Sequence, residues 1–105
     1  METMVTARHC TISDTLRRQT LERLEALSRF EPRVQSAHVC FVSDHGAHRV
    51  EVRVQGTRGR SMVATATGAT FRAALDGAVE RVARQLKRRR ERLTAHKGAP
   101  PLTIS

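Results

Sequence analysis

Tryptophan and tyrosine are absent from this chain of 105 residues, and phenylalanine occurs only three times. Proteins that read single-stranded nucleic acid stack bases on exposed rings, yet Phe30, Phe41 and Phe71 all fall at core-type positions, so an aromatic stacking platform is poorly supported. Cysteine is scarce too. Cys10 and Cys40 are too few for a disulfide scaffold and suit a reducing, cytoplasmic setting. No apolar run approaches the roughly 18 residues of a membrane span, and the first ten residues lack the apolar stretch of a cleaved secretion signal. Acidic residues are in deficit as well, 10 against 19 Lys and Arg, which leaves a formal net charge of +9. The length allows one domain with one modest core. Hydrophobic residues make up 39 % of the chain and recur periodically, which argues against a disordered basic tail.

The positive charge is concentrated. Residues 81–97 hold eight basic side chains and the single acid Glu91, while the remaining 88 residues are nearly neutral. Such a pole attracts a polyanion, because every phosphate it neutralises releases condensed counterions. The plain alternative is a solvated helix end, but the density exceeds what solubility requires.

Periodicity predicts the elements in the order β-α-β-β-β-α. Residues 3–8 alternate as a short strand, with Val5 and Ala7 on one face and Thr6 and Arg8 on the other. Ser13 is placed to cap a helix over residues 14–29, with Asp14 at the positive end of its dipole. Leu16, Thr20, Leu21, Leu24 and Leu27 form the apolar stripe of that helix, and Pro32 lies just beyond it. Strands follow over residues 34–43, 48–55 and 60–67, linked by turns at 44–47 and 56–59, an antiparallel meander. Thr70 caps a final helix over residues 71–94, whose stripe runs Phe71, Ala74, Leu75, Ala78, Val82, Leu86 and then meets Arg89. Burial is therefore expected to end near Leu86, and the last two turns to project beyond the sheet. The first strand is expected beside the second in parallel, since a helix intervenes, and both helices on one face of the sheet. Thr6, Arg8, His38, Cys40, Arg49, Glu51, Arg53, Ser61 and Thr65 then line an open face.

Arg81, Arg84, Arg88 and Arg92 fall within about 80° around the final helix, a row that suits a phosphate backbone. Lys87, Arg89 and Arg90 point elsewhere, so the tip is basic all round. Recognition is expected to rest on shape and phosphate. Glu25–Arg29 and Glu80–Arg84 are spaced as helix ion pairs. His9-Cys10, His38-x-Cys40, His45 and His48 lack the paired spacing of a structural zinc clip, so no metal or cofactor is read. Neither thiol is framed by a glycine-rich oxyanion turn, and no enzyme or small-molecule substrate is read.

Taken together, several segments resemble the ribosome hibernation promoting factor and ribosome-associated inhibitor proteins, the sigma-54 modulation family. They are Val5-Thr6-Ala7-Arg8-His9, Ile12-Ser13-Asp14-Thr15-Leu16-Arg17, Leu24-Glu25-Ala26-Leu27, Ala37-His38-Val39, His48-Arg49-Val50-Glu51-Val52, Ala73-Ala74-Leu75-Asp76, and Val82-Ala83-Arg84-Gln85-Leu86 running on to Leu93. The resemblance spans about residues 3–97. It implies an α+β fold, a four-stranded sheet with two helices on one face, similar to a double-stranded-RNA-binding domain. It also implies binding to the small ribosomal subunit and its ribosomal RNA, in the channel of messenger and transfer RNA, which silences idle ribosomes. Carried over residue by residue, the RNA contacts are Arg8, Arg23, Arg29, Arg49, Arg81, Arg84, Lys87, Arg88, Arg90 and Arg92.

Three departures stand out. Ala26 replaces a lysine common in the family, Arg72 replaces a usual aromatic, and the chain ends at Ser105 without the second domain of the long form. The expectation is a short form, with one domain over residues 1–97 and a disordered tail over 98–105. Two other classes of function stay open at this point, a generic structured-RNA or DNA module and a protein-interaction domain using the open sheet face or an edge strand.

Overall fold

The computed structural model describes residues 1–56 and 61–98, with side chains described as far as residue 89. Residues 57–59 of the second expected turn and the expected tail from residue 99 lie outside the described residues. The elements are β1 (Glu2–Arg8), α1 (Asp14–Phe30), β2 (Val34–Asp44), β3 (Ala47–Gly56), β4 (Ser61–Gly68) and α2 (Phe71–Gly98). They build one mixed sheet in the order β1-β2-β3-β4. β1 runs parallel to β2, and β2, β3 and β4 form the antiparallel meander.

Local chemistry explains where the elements begin and end. The Ser13 hydroxyl accepts a hydrogen bond from the Leu16 amide at 3.0 Å, and the Thr70 hydroxyl accepts one from the Ala73 amide at 3.1 Å. Each satisfies an amide that the first helical turn would leave without a partner. Glu31 closes α1, its amide bonded to the Leu27 carbonyl at 2.9 Å. The hairpin between β2 and β3 turns on two residues, His45 at φ 52° and Gly46 at φ 82°. Two positive φ values in succession define a turn whose twist matches the flanking strands. α2 continues to Gly98, four residues past the expected end. The reason is compositional: no helix breaker lies from Thr94 to Lys97, and the first in the sequence are Gly98 and Pro100.

One apolar cluster holds both helices to the same sheet face. Leu24 and Leu27 of α1 and Ala74, Leu75, Ala78, Val82 and Leu86 of α2 pack on Val39, Phe41, Val50, Val52, Val54, Ala64 and Ala66. Each fully buried Leu, Val or Phe among them contributes roughly 1.5–3 kcal/mol, so this cluster carries the fold. Phe41 and Phe71 meet edge to face at 5.6 Å, and His48 covers the other side of Phe71 at 4.7 Å. α2 approaches β4 closely: a Cβ on Gly77 would stand 3.1 Å from that of Ala66. Leu86 is the last buried residue among those described, and Arg89 is half-buried. α2 is about 42 Å long against about 27 Å for β4, so its last turns extend beyond the sheet.

Two expectations need correction. Leu21 is 37 % and Phe30 41 % exposed. Leu21 lies on the flank of the α1 stripe, and the stripe ends at Leu27, one turn before Phe30. Leu21 instead forms one wall of a groove of about 420 Å³ beside edge strand β1, shared with Met1, Thr3, Glu25, Ser28 and Arg29.

Candidate nucleic-acid interface

The buried stripe sets how α2 is rotated, and two contacts show the result. On one flank Asp76 faces α1, where the Arg23 guanidinium stands 2.6 Å from Asp76 Oδ1. That oxygen is buried and accepts no directed hydrogen bond, so the guanidinium balances its charge ionically. On the other flank the Arg81 guanidinium donates to the Thr65 carbonyl of edge strand β4. At 100° per residue Arg81, Arg84 and Arg88 lie within about 60° of one another, so the arginine row follows the side of α2 away from α1, along the β4 edge.

Arg84, Lys87 and Arg88 are exposed. Among the described residues the ion pairs are Arg23–Asp76, Arg33–Glu31, His45–Asp44 and Arg53–Glu51. The helix pairs suggested by spacing, Glu25–Arg29 and Glu80–Arg84, are not among them. Arg29 and Arg84 therefore have no ion-pair partner among the described residues. A cation with no ion-pair partner gives up no salt bridge when it meets an anion, so among the described residues Arg84 and Arg88 of the row, and Lys87 beside it, are available to one.

The topology sorts the other expected contacts. α1 and α2 both run antiparallel to the strand that precedes them, so Arg29 at the end of α1 and Lys87 near the projecting part of α2 occupy the same end of the molecule. Arg8 and Arg49 lie elsewhere. Their register opposite Val42 puts both on the open sheet face, at the end where α2 begins. Arg23 sits between the helices, engaged by Asp76. Arg90 and Arg92 belong to the last turns of α2, and their side chains lie outside the described residues. The ten residues thus do not form one patch: α2 with Arg29 makes one cationic surface, and Arg8 with Arg49 makes another behind it.

One cation at the basic end escaped the sequence reading. Arg33 is exposed, and its backbone amide and Nε both donate to Oε1 of the buried Glu31 at 3.3 Å. Its signal was the pairing of Glu31 and Arg33 around Pro32, which read only as a helix stop. Among the described residues no group of three or more His, Cys, Asp or Glu side chains is placed to hold a metal ion. No described helix is long and apolar enough to cross a membrane.

Residues 3–94 match the protein family described as sigma 54 modulation protein / S30EA ribosomal protein. No curated protein matches the chain. Among solved structures, a ribosomal subunit interface protein from Coxiella burnetii is similar with TM-score 0.79 at 20 % identity, over 87 % of this chain and 99 % of that one. At that identity the likeness concerns the fold. The N-terminal domain of Thermus thermophilus Protein Y is similar with TM-score 0.72 at 27 % identity, over 84 % of this chain and 98 % of that one.

Proposed function

The chain belongs to the sigma 54 modulation protein / S30EA ribosomal protein family, and from that membership we propose that it binds the small ribosomal subunit through ribosomal RNA and occupies the channel of messenger and transfer RNA. Idle ribosomes in stressed or resting cells are thereby silenced. The observation that carries this reading is the exposed cations along α2 that have no ion-pair partner among the described residues, with Arg29 at the same end of the molecule. A helix that leaves its own sheet with positive charge exposed fits a groove walled by phosphates better than a flat surface, since cations on several sides of the helix then find partners. The described side chains offer no row of rings on which successive unpaired bases could stack, because Phe41 is buried, Phe71 is packed between Phe41 and His48, and Phe30 at the end of α1 is the one phenylalanine with substantial exposure. Structured RNA is accordingly the favoured partner. The Coxiella burnetii protein, described as a ribosomal subunit interface protein, supports the same direction. The role is one of occupancy in the cytoplasm, with no catalysis, cofactor or small-molecule substrate. Residues 1–97 suffice for it in this reading.

Co-sedimentation with purified ribosomal subunits across a salt series, with free duplex RNA as competitor, tests the proposal. The expected result is near-stoichiometric retention on the small subunit that resists competitor. With six to ten phosphate contacts, affinity falls by about 10³–10⁵ between 50 and 200 mM salt. Loss to free duplex would reduce the protein to a generic structured-RNA binder. Retention insensitive to salt would instead mark a protein-interaction domain.

A further inference from the structure

The sheet face opposite the helices is uncovered, and its register arranges it in rows. Met4, His38, Arg53 and Val63 form one row across the four strands, Thr6, Cys40, Glu51 and Thr65 the next, and Arg8, Val42, Arg49 and Thr67 the third. The first row ends in two exposed apolar side chains, Met4 at 58 % and Val63 at 41 %. In the third row Arg8 and Arg49 flank Val42 with their Cα atoms about 10 Å apart.

Among the described residues, charge on this face is unbalanced at one place. Of the acids that share it, Glu51 lies 3.6 Å from Arg53 and Asp44 lies 2.6 Å from His45. Glu2 stands at the opposite end of β1 from Arg8. Among the described residues no carboxylate pairs with Arg8 or Arg49, and Arg49 Nε is covered without any acceptor. A half-buried guanidinium that no carboxylate engages has already lost part of its hydration, so it gains more from an anion at its exposed nitrogens than a freely hydrated one.

The two features point to one kind of partner. Phosphates gain nothing from Met4 and Val63, and the face has no exposed ring on which a base could stack. Resting on the ribosome-binding reading above, we propose that this face docks a protein surface of the bound ribosome. That surface presents carboxylates to Arg8 and Arg49 and, about 13 Å away along the strands, apolar side chains to Met4 and Val63. The protein then engages RNA with α2 and protein with the opposite face, which fixes its orientation in the channel.

The test places a photo-crosslinking residue, benzoylphenylalanine, at Met4 or at Val63, one at a time, in protein bound to purified small subunits. Sedimentation is checked first, and failure to sediment would remove this proposal together with the proposed function. From sedimented complexes, the expected product is a crosslink to a ribosomal protein, whose yield per bound molecule falls about tenfold in the Arg8→Glu/Arg49→Glu background. Crosslinks to RNA, or none from a complex that does sediment, would overturn the docking proposal and leave the α2 reading standing. A protein crosslink unchanged by the charge reversal would overturn the assigned role of the two arginines.

Discussion

Replacing Arg84 and Arg88 by glutamine separates phosphate binding from every structural role these residues could have. Both are exposed and neither has an ion-pair partner among the described residues. Glutamine matches arginine closely in helix propensity, so stability should move by no more than about 0.5 kcal/mol. Binding should respond differently. Each phosphate contact contributes about 0.9 to the slope of log affinity against log salt on a duplex and about 0.7 on a single strand. Losing two contacts lowers the slope by about 1.4–1.8. Over a fourfold rise from 50 to 200 mM salt the variant should therefore lose about 7- to 12-fold less affinity than the parent chain. The assay is a binding isotherm on small subunits at five or six salt concentrations, with thermal unfolding of both proteins alongside. An unchanged slope in a variant that unfolds like its parent would refute the assignment of this row to phosphate.

Three further outcomes follow from the packing and pairing described above. Arg23→Gln should leave the salt slope of binding unchanged, because that guanidinium is engaged by Asp76 at 2.6 Å. Both side chains are about 40 % exposed, so solvent screening holds the stability loss to about 0–1 kcal/mol in thermal unfolding; a slope lowered by about 1 would place Arg23 on a phosphate after all. Phe41→Ala, at a position with no exposure, should cost about 3–5 kcal/mol in urea unfolding, a large part of the roughly 5–15 kcal/mol typical of a domain, and a cost below 1 kcal/mol would contradict the central place given to this ring. Gly77→Val should destabilise by about 1–3 kcal/mol despite the better helix propensity of valine, because the new side chain meets Ala66 where even a Cβ stands at 3.1 Å; a more stable variant in the same urea experiment would show that α2 can lift from β4 at little cost.

The parts of the fold that were legible in advance are those set by neighbours in the chain. The Ser13 and Thr70 caps are local hydrogen bonds over three residues, and the hairpin at His45-Gly46 is a local turn. Strand alternation correctly divided β2, β3 and β4 between core and open face, since successive side chains of a strand must point to opposite sides. The stripe of α2 ended at Leu86 because the next position around the helix holds an arginine, whose charge resists full burial. Legibility failed where a contact joins distant segments or depends on what lies opposite. The stripe of α1 promised burial for Leu21, yet the fate of a flank position depends on whether the sheet reaches beneath it. Phe30 followed the general tendency of its side chain and not its place one turn past the end of the stripe.

The same division governs the candidate site. By itself the sequence determined that this protein carries a concentrated cationic helix on a small α+β frame, because charge count and periodicity are properties of the linear chain. Only the tertiary structure decided which of those cations are free to act. Arg23 meets Asp76, and Arg81 meets the edge carbonyl of Thr65, across gaps in the sequence that no spacing rule bridges. Arg8 and Arg49 stand together, apart from the rest, because parallel pairing of β1 with β2 and antiparallel pairing of β2 with β3 set both opposite Val42. Ionic partnership falls off steeply with distance, so it is decided by how the chain folds back on itself, whereas helix, strand and turn preferences act between residues a few positions apart.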